Sequence, residues 1–371
     1  MKKITFFLYG FFLCTFTLFS YFFVDSNIVY LHNLYTGFDA RNRELTTVVY
    51  TIYLILFFIF YILFLYLSYN KKLTMREITI LIGMTISTLL FSYPAMLSFD
   101  IFNYILTAKV LFHYHENPYI IMPIELIKEP FLVFTRAANK TALYGPLWLI
   151  LSGIPYSFGL GNFIFILFNF KLLATFFYIL TGIVFFKLTK NIFSVVLFML
   201  NPLVIIEILV SAHNDIVMVF FVMLAFLFFI KNRVKIAWIF LLISVGIKYA
   251  SVFLVPIFLY ATYLYIQKKP INWSNIFLWS FFSMLAVFLI SPIREEIYPW
   301  YAIWFLAFLP VLWKKKTIIT FSLIFSTSLM FRYVPVMYFG TYLEPTIFIK
   351  KAFSFVPVTV YGIYFFLKKK I

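Results

Sequence analysis

Cysteine is almost missing from this chain: of 371 residues, only Cys14 is one. A single thiol excludes an internal disulfide and a thiolate metal site, and its place in an apolar run suits packing. Negative charge is nearly as scarce, with 13 acidic residues against 30 basic ones. Only 12% of the chain is charged, and 64% is hydrophobic. No water-soluble core could hide that much apolar surface, so the main solvent must be lipid. Also lacking are a Walker loop, a Gly-x-Gly-x-x-Gly turn and a nucleophile elbow. Nothing here is built to hold a nucleotide. No internal repeat, low-complexity linker or soluble domain interrupts the pattern.

What is there is a basic excess with a definite placement. The net charge is +17, yet most basic residues fall in short clusters between apolar runs. These are Lys2/Lys3, Lys71/Lys72/Arg76, Lys187/Lys190, Lys231/Arg233/Lys235, Lys268/Lys269, Lys314–Lys316 and Lys368–Lys370. Glu77 is the one acidic residue among them. That segregation is the mark of cytoplasmic loops, so the charge sets topology and calls for no nucleic acid. The run after Met-Lys-Lys is long and lacks a small-x-small cleavage site, which reads as a retained signal anchor.

A membrane span needs about 20 apolar residues. The apolar runs put spans near 4–24, 45–69, 78–97, 161–186, 192–211, 215–230, 274–292, 298–313, 317–331 and 352–367, with a short helical pair meeting at Lys248. With every lysine cluster inside, this predicts about twelve crossings and both termini cytoplasmic. The expected fold is an all-α polytopic membrane protein, a single multi-span domain over 1–371, in the cell membrane. "YGPLWLILSGIPYSFGLG" (144–161) is apolar but broken by Pro and Gly. It reads as an outer-leaflet or re-entrant helix. Residues 98–143 form the large extracytoplasmic loop, opening with an amphipathic helix expected to lie in the interface.

Polar residues inside this frame mark candidate chemistry. Asp100 ends an apolar span, where a partly desolvated carboxylate gains strength as a base or else caps a helix. His213, Asn214 and Asp215 stand together between two spans, which suggests a cavity wall, with Glu207 two turns earlier. Lys248 is a charge near mid-membrane without an acidic neighbour in sequence, so it should face protein, water or an anion. Lys171 is similar but long enough to snorkel outward. Arg294 and Arg332 lie at outer ends of spans and join Lys248 as cations for a phosphate. Trp300, in "YPWYAIW", is the best candidate for sugar stacking and equally a normal interfacial anchor. "HYHENPY" offers His113, His115 and Glu116, but without a third ligand set it reads as a solvated helix end. No metal and no cofactor are expected.

One ordered series of strings carries a family resemblance: "SFDIFNYI", "ENPYIIMP", "YGPLWLILS", "NPLVIIEILVSAHNDIVM" and "GIKYAS". Over about residues 78–310 the chain resembles the GT-C superfamily of integral membrane glycosyltransferases, in its polyprenyl-phosphate-mannose-dependent branch. The resemblance implies transfer of a mannose-like hexose from a polyprenyl-phosphate carrier to a glycan, lipid or protein hydroxyl on the outer face. It assigns the base to Asp100. It also draws Tyr104, Asn117, Tyr119 and Tyr144, from the matching strings, into the substrate-binding set with His213, Asn214, Asp215, Lys248, Arg294 and Arg332. Many members carry two acids at the first outer loop; here Asp100 is followed by Ile101, Phe102 and Asn103, which weakens a metal-dependent mechanism. The chemistry agrees: phosphate leaves without a proton, the acceptor hydroxyl needs a base, and direct displacement inverts the anomeric centre. The other classes are a transporter or flippase of lipid-linked saccharides, a polysaccharide ligase or polymerase, and a scaffold. The first would spread polar groups across the bilayer in repeated halves.

Overall fold

The computed structural model describes residues 2–24, 42–126, 128–293 and 296–368. Arg294 therefore lies outside the described residues. Among the described residues the regular structure is helical throughout, because in lipid each backbone N–H and C=O must find its partner within its own segment. Among the described residues, seven helices are long and apolar enough to cross a membrane. They are Lys2–Phe23, Arg43–Tyr69, Phe163–Thr189, Tyr249–Ile266, Trp273–Ile290, Lys316–Phe339 and Thr346–Phe365. The pair Ile192–Met199 and Pro202–Val210, bent by 56°, is an eighth if it counts as one span. Asp215–Ile230 and Val234–Ile247 are shorter apolar helices.

Side-chain caps set several helix starts. Thr74 and Glu77 form a capping box on Met75–Leu89, while Asn162 and Asn272 accept backbone N–H groups at the heads of their helices. Each satisfies donors that lipid could not. Asn201 does the same for Pro202–Ile205, which restarts the chain after the bend at Leu200.

Three local expectations change in three dimensions, while the reading of 144–161 as a helix that does not cross stands. The segment 298–313 is not a straight span: it runs through a 3₁₀ turn, Pro299–Ala302, and a four-residue helix, Ile303–Leu306, into further turns. The segment 144–161 contains only the 12-residue helix Pro146–Ser157, about 18 Å long and too short to cross. Asp100–Phe112 does not lie amphipathically in an interface. Ile101, Phe102, Tyr104, Ile105, Leu106, Ala108 and Val110 are all buried, so protein surrounds the helix on most sides. Lys171 does not snorkel either. Its Nζ is buried and donates to Leu89 O at 2.9 Å, to Ser92 Oγ at 3.0 Å and to Ser92 O. It closes the C-terminal end of the Met75–Leu89 helix.

Two glycines bring distant strings together. A Cβ on Gly145 would stand 2.2 Å from the Gly246 carbonyl oxygen, and Gly145 N–H donates to Ile247 O at 3.1 Å. Only a residue without a side chain permits that approach. It sets Tyr144, from "YGPLW", beside Lys248, from "GIKYAS".

The loop after Asp100–Phe112 is held by ion pairing rather than by regular structure. Lys109 Nζ lies 2.8 Å from Glu129, Tyr114 OH donates to Glu129 at 2.6 Å, and Glu129 caps the Pro130–Phe134 turn by accepting from Phe131 N–H. His113, His115 and Glu116 project into solvent at the helix end, as their spacing suggested.

Candidate active site

A cavity of about 780 Å³ opens beside the start of Asp100–Phe112. Its lining includes the carboxylates Asp100 and Glu296, the neighbouring Asn103 and Tyr144, Tyr298–Tyr301, and the cations Arg43, Arg136, Lys140, Lys248, Arg332 and Lys350. It is large enough for a hexose and part of its neighbour. The Asp100 side chain is 25% exposed, so the carboxylate is reachable but poorly hydrated. A carboxylate in that setting is a competent base for a hydroxyl within reach.

The "SAHND" stretch stands directly behind this wall. Glu207 falls in a π-helical turn, Ile206–Val210, and Ala212 takes a left-handed backbone, φ 58°. Such geometries cost energy in a non-glycine residue and concentrate where a side chain must be aimed. Here they turn the His213 ring back toward Asp100, with Nδ1 3.6 Å from Oδ2. On its other side Nε2 lies 3.2 Å from Glu207 Oε2, close but out of hydrogen-bond alignment. Tyr333 OH donates to Glu207 Oε1 at 2.8 Å. Glu207, His213, Asn214 and Asp215 are all fully buried.

Sequence reading made His213, Asn214 and Asp215 a cavity wall. The structure sets them one layer back, none lining the cavity, where they hold the residues that do. Asn214 is tied to Tyr104, N–H to hydroxyl and hydroxyl to Oδ1, both at 3.3 Å. Tyr104 is itself buried and packs its ring on Tyr144 at 4.9 Å. Asn117 accepts from Tyr119 N–H at 3.0 Å, and Tyr119 OH donates to the Tyr144 carbonyl at 2.7 Å. Of these aromatic and amide candidates, Tyr144 alone reaches the cavity; Tyr104, Asn117 and Tyr119 brace it.

Lys248 is not the unpaired charge its sequence context suggests. Its Nζ lies 2.8 Å from Asp215 Oδ1, across 33 residues of chain, and over the Tyr301 ring at 4.6 Å. Trp304 Nε1 donates to the same Asp215 oxygen. Arg332 does line the cavity and is likewise paired: Nη2 is 2.6 Å from Glu296, Nε donates to Ile297 O and Nη1 to Ser354. Lys350 shares the Glu296 carboxylate. Trp300 is sandwiched between His213 at 4.2 Å and Tyr298 at 4.6 Å, both nearly parallel. Its faces are taken, so it anchors the site rather than stacking a sugar.

Against known families, one result decides. The model of the MptA_B family, described as alpha-(1->6)-mannopyranosyltransferase, N-terminal domain, matches residues 9–263, more than half of the chain. The chain belongs to the MptA_B family. It is accordingly a glycosyltransferase of a mannosyltransferase family and, with its apolar helices, a polytopic membrane protein. Neither a curated protein nor a solved structure matches it. The family match agrees with the mannosyltransferase-like resemblance read from the sequence. Asp100, Tyr144, His213 and Lys248 of this MptA_B-family chain lie inside the matched region. Trp300, Trp304, Arg332, Tyr333 and Lys350 lie beyond it and complete the same cavity and its backing.

Sequence reasoning missed Trp304, Tyr333, Glu296 and Lys350. Trp304 carried a signal, being the second tryptophan of "YPWYAIW". The other three are polar residues with no distinguishing motif around them, and only their partners make them notable.

Proposed function

We propose that the protein transfers mannose from a polyprenyl-phosphate carrier to an acceptor hydroxyl on the extracytoplasmic face, by one inverting displacement with Asp100 as base. The observation that carries this reading is one cavity lined both by the partly desolvated Asp100 carboxylate and by several cations, Arg332 and Lys350 among them. The acceptor O–H gives its proton to the Asp100 carboxylate while its oxygen bonds the anomeric carbon. The anomeric carbon–oxygen bond to phosphate breaks, and the electron pair leaves on the phosphate. A phosphate leaving group needs cations rather than a proton, and Arg332 and Lys350 supply them. A single displacement inverts, so an α-linked product requires a β-linked donor. The family description supports C6 of a mannoside as the accepting position.

The choice of face rests on charge and helix direction. Lys2 pairs with Glu77 at 3.0 Å, beside the Lys71/Lys72 turn, while Met75–Leu89 runs from that point toward Pro94 and Asp100. The basic turn and the cavity thus stand at opposite ends of that helix, and basic turns favour the cytoplasm.

The test is transfer by the full chain in nanodiscs, from radiolabelled polyprenyl-phosphate mannose to octyl α-mannoside. Wild-type protein should form an α-linked dimannoside, with GDP-mannose inactive as donor. Asp100→Asn should lower kcat by about 10²–10⁴ while donor binding persists. Full turnover by Asp100→Asn would remove Asp100 from the mechanism.

A further inference from the structure

The Glu207–His213 pair is the most unusual buried feature outside the cavity. Two carboxylates flank one buried imidazole, Glu207 fully buried with it and Asp100 25% exposed at the cavity: Asp100 Oδ2 is 3.6 Å from Nδ1 and Glu207 Oε2 is 3.2 Å from Nε2, close contacts short of hydrogen-bond geometry. The ring cannot drift, because Trp300 stacks on it at 4.2 Å and 15°. His213 N–H also donates to the Glu207 carbonyl at 3.1 Å, so the π-helical turn fixes both partners as a unit. Tyr333 OH holds the far carboxylate oxygen. Asp100 and Tyr333 both line the cavity, whereas His213 and Glu207 do not. The buried pair therefore spans the wall between two groups the substrate can touch.

We infer that His213 is the positioning residue of the Asp100 base, with Glu207 as its anchor. Burying a full negative charge on Glu207 beside a neutral ring, with the Asp100 carboxylate on the ring's other side, is prohibitive. The arrangement that avoids it leaves one net charge on the three groups. Glu207 carries a proton toward Nε2, and Nδ1–H turns to Asp100, the member that faces the cavity. When Asp100 takes the acceptor's proton, no charge needs to enter the buried layer. A ring nitrogen's tautomer is set by what its opposite nitrogen meets, which gives Glu207 its role. His213 and Glu207 touch neither acceptor nor donor and act only through Asp100. This inference rests on the reading of Asp100 as base.

The same dimannoside assay, with thermal midpoints measured in parallel, separates the two. His213→Phe keeps the stacking on Trp300 and removes both nitrogens. It should lower kcat by about 10–100-fold and leave the donor KM unchanged. His213→Asn carries an amide N–H near the Nδ1 position and should recover part of that loss. Glu207→Gln, still a donor to Nε2, should lose clearly less than Glu207→Leu. Wild-type kcat in His213→Phe, beside an inactive Asp100→Asn, would overturn the inference and leave the base reading standing. Equal losses in His213→Phe and His213→Asn would overturn it too. Full activity in Asp100→Asn would instead remove the base reading itself. If His213→Phe fails to fold, the Glu207 pair decides: Gln above Leu supports the positioning role, and Gln equal to Leu overturns it.

Discussion

The Lys248 ammonium lies 2.8 Å from the Asp215 carboxylate, and the carboxylate is wholly buried while the lysine side chain keeps 13% exposure. The pair closes the cavity wall: Asp215 faces protein, and Lys248 turns its remaining surface to the cavity. Lys248→Met strands a buried charge, which typically costs about 3–5 kcal/mol. Its thermal midpoint should fall well below that of the wild type. The double variant Lys248→Met/Asp215→Leu removes both charges and should regain much of that stability. A Lys248→Met protein as stable as the wild type would mean that the pair does not hold the wall.

Arg332 and Lys350 meet on the one carboxylate of Glu296, whose side chain is 41% exposed. An exposed acid held by two cations marks a place where an anion is favourable. Arg332→Lys keeps the charge but gives up the forked donor, and Lys350→Gln gives up a charge. A hydrogen bond to a charged group contributes about 1.5–3 kcal/mol. Each variant should therefore raise the donor KM about tenfold or more with the fold intact. Glu296→Gln should lower it. Unchanged donor KM in both cation variants would remove these residues from the donor site.

Glu129 governs how the large loop answers to acid. Burial pushes its carboxyl up, but Lys109, the Tyr114 hydroxyl and the Phe131 N–H together hold it below the usual range. A carboxyl depressed in the folded state adds stability above its unfolded pKa, about 4.3. That contribution is lost as pH falls through the depressed folded value. Limited proteolysis of residues 113–143 should therefore stay slow from neutral pH down to about 4.3 and accelerate only in stronger acid. Glu129→Gln should be cleaved faster already at neutral pH and show little dependence on acid. Identical profiles for the two proteins would show that the clamp does not hold the loop.

The parts of the site legible in the sequence are those that depend on the local solvent. Apolar runs, lysine clusters and the acid-bearing loop identified a helical membrane protein. Asp100 at a span boundary was visible as a carboxylate among apolar residues, suited to a base or to a helix start. Asp215 and Lys248 were each visible as polar residues in apolar surroundings.

That these two form a pair was decided only by tertiary structure, because 33 residues of chain separate them and composition carries no register between helices. The same holds for Lys171, which reads as a snorkelling lysine until Leu89 and Ser92 are placed around its ammonium. Asp100–Phe112 looks amphipathic by spacing, but neighbours bury most of its circumference. The apolar run 298–313 reads as a span, yet it folds into short turns that set Trp300 on His213 and Trp304 on Asp215. Apolar content determines that a segment leaves water. Whether it then meets lipid, another helix or a buried ion pair is determined by packing between residues far apart in the chain, and that packing placed His213 behind Asp100.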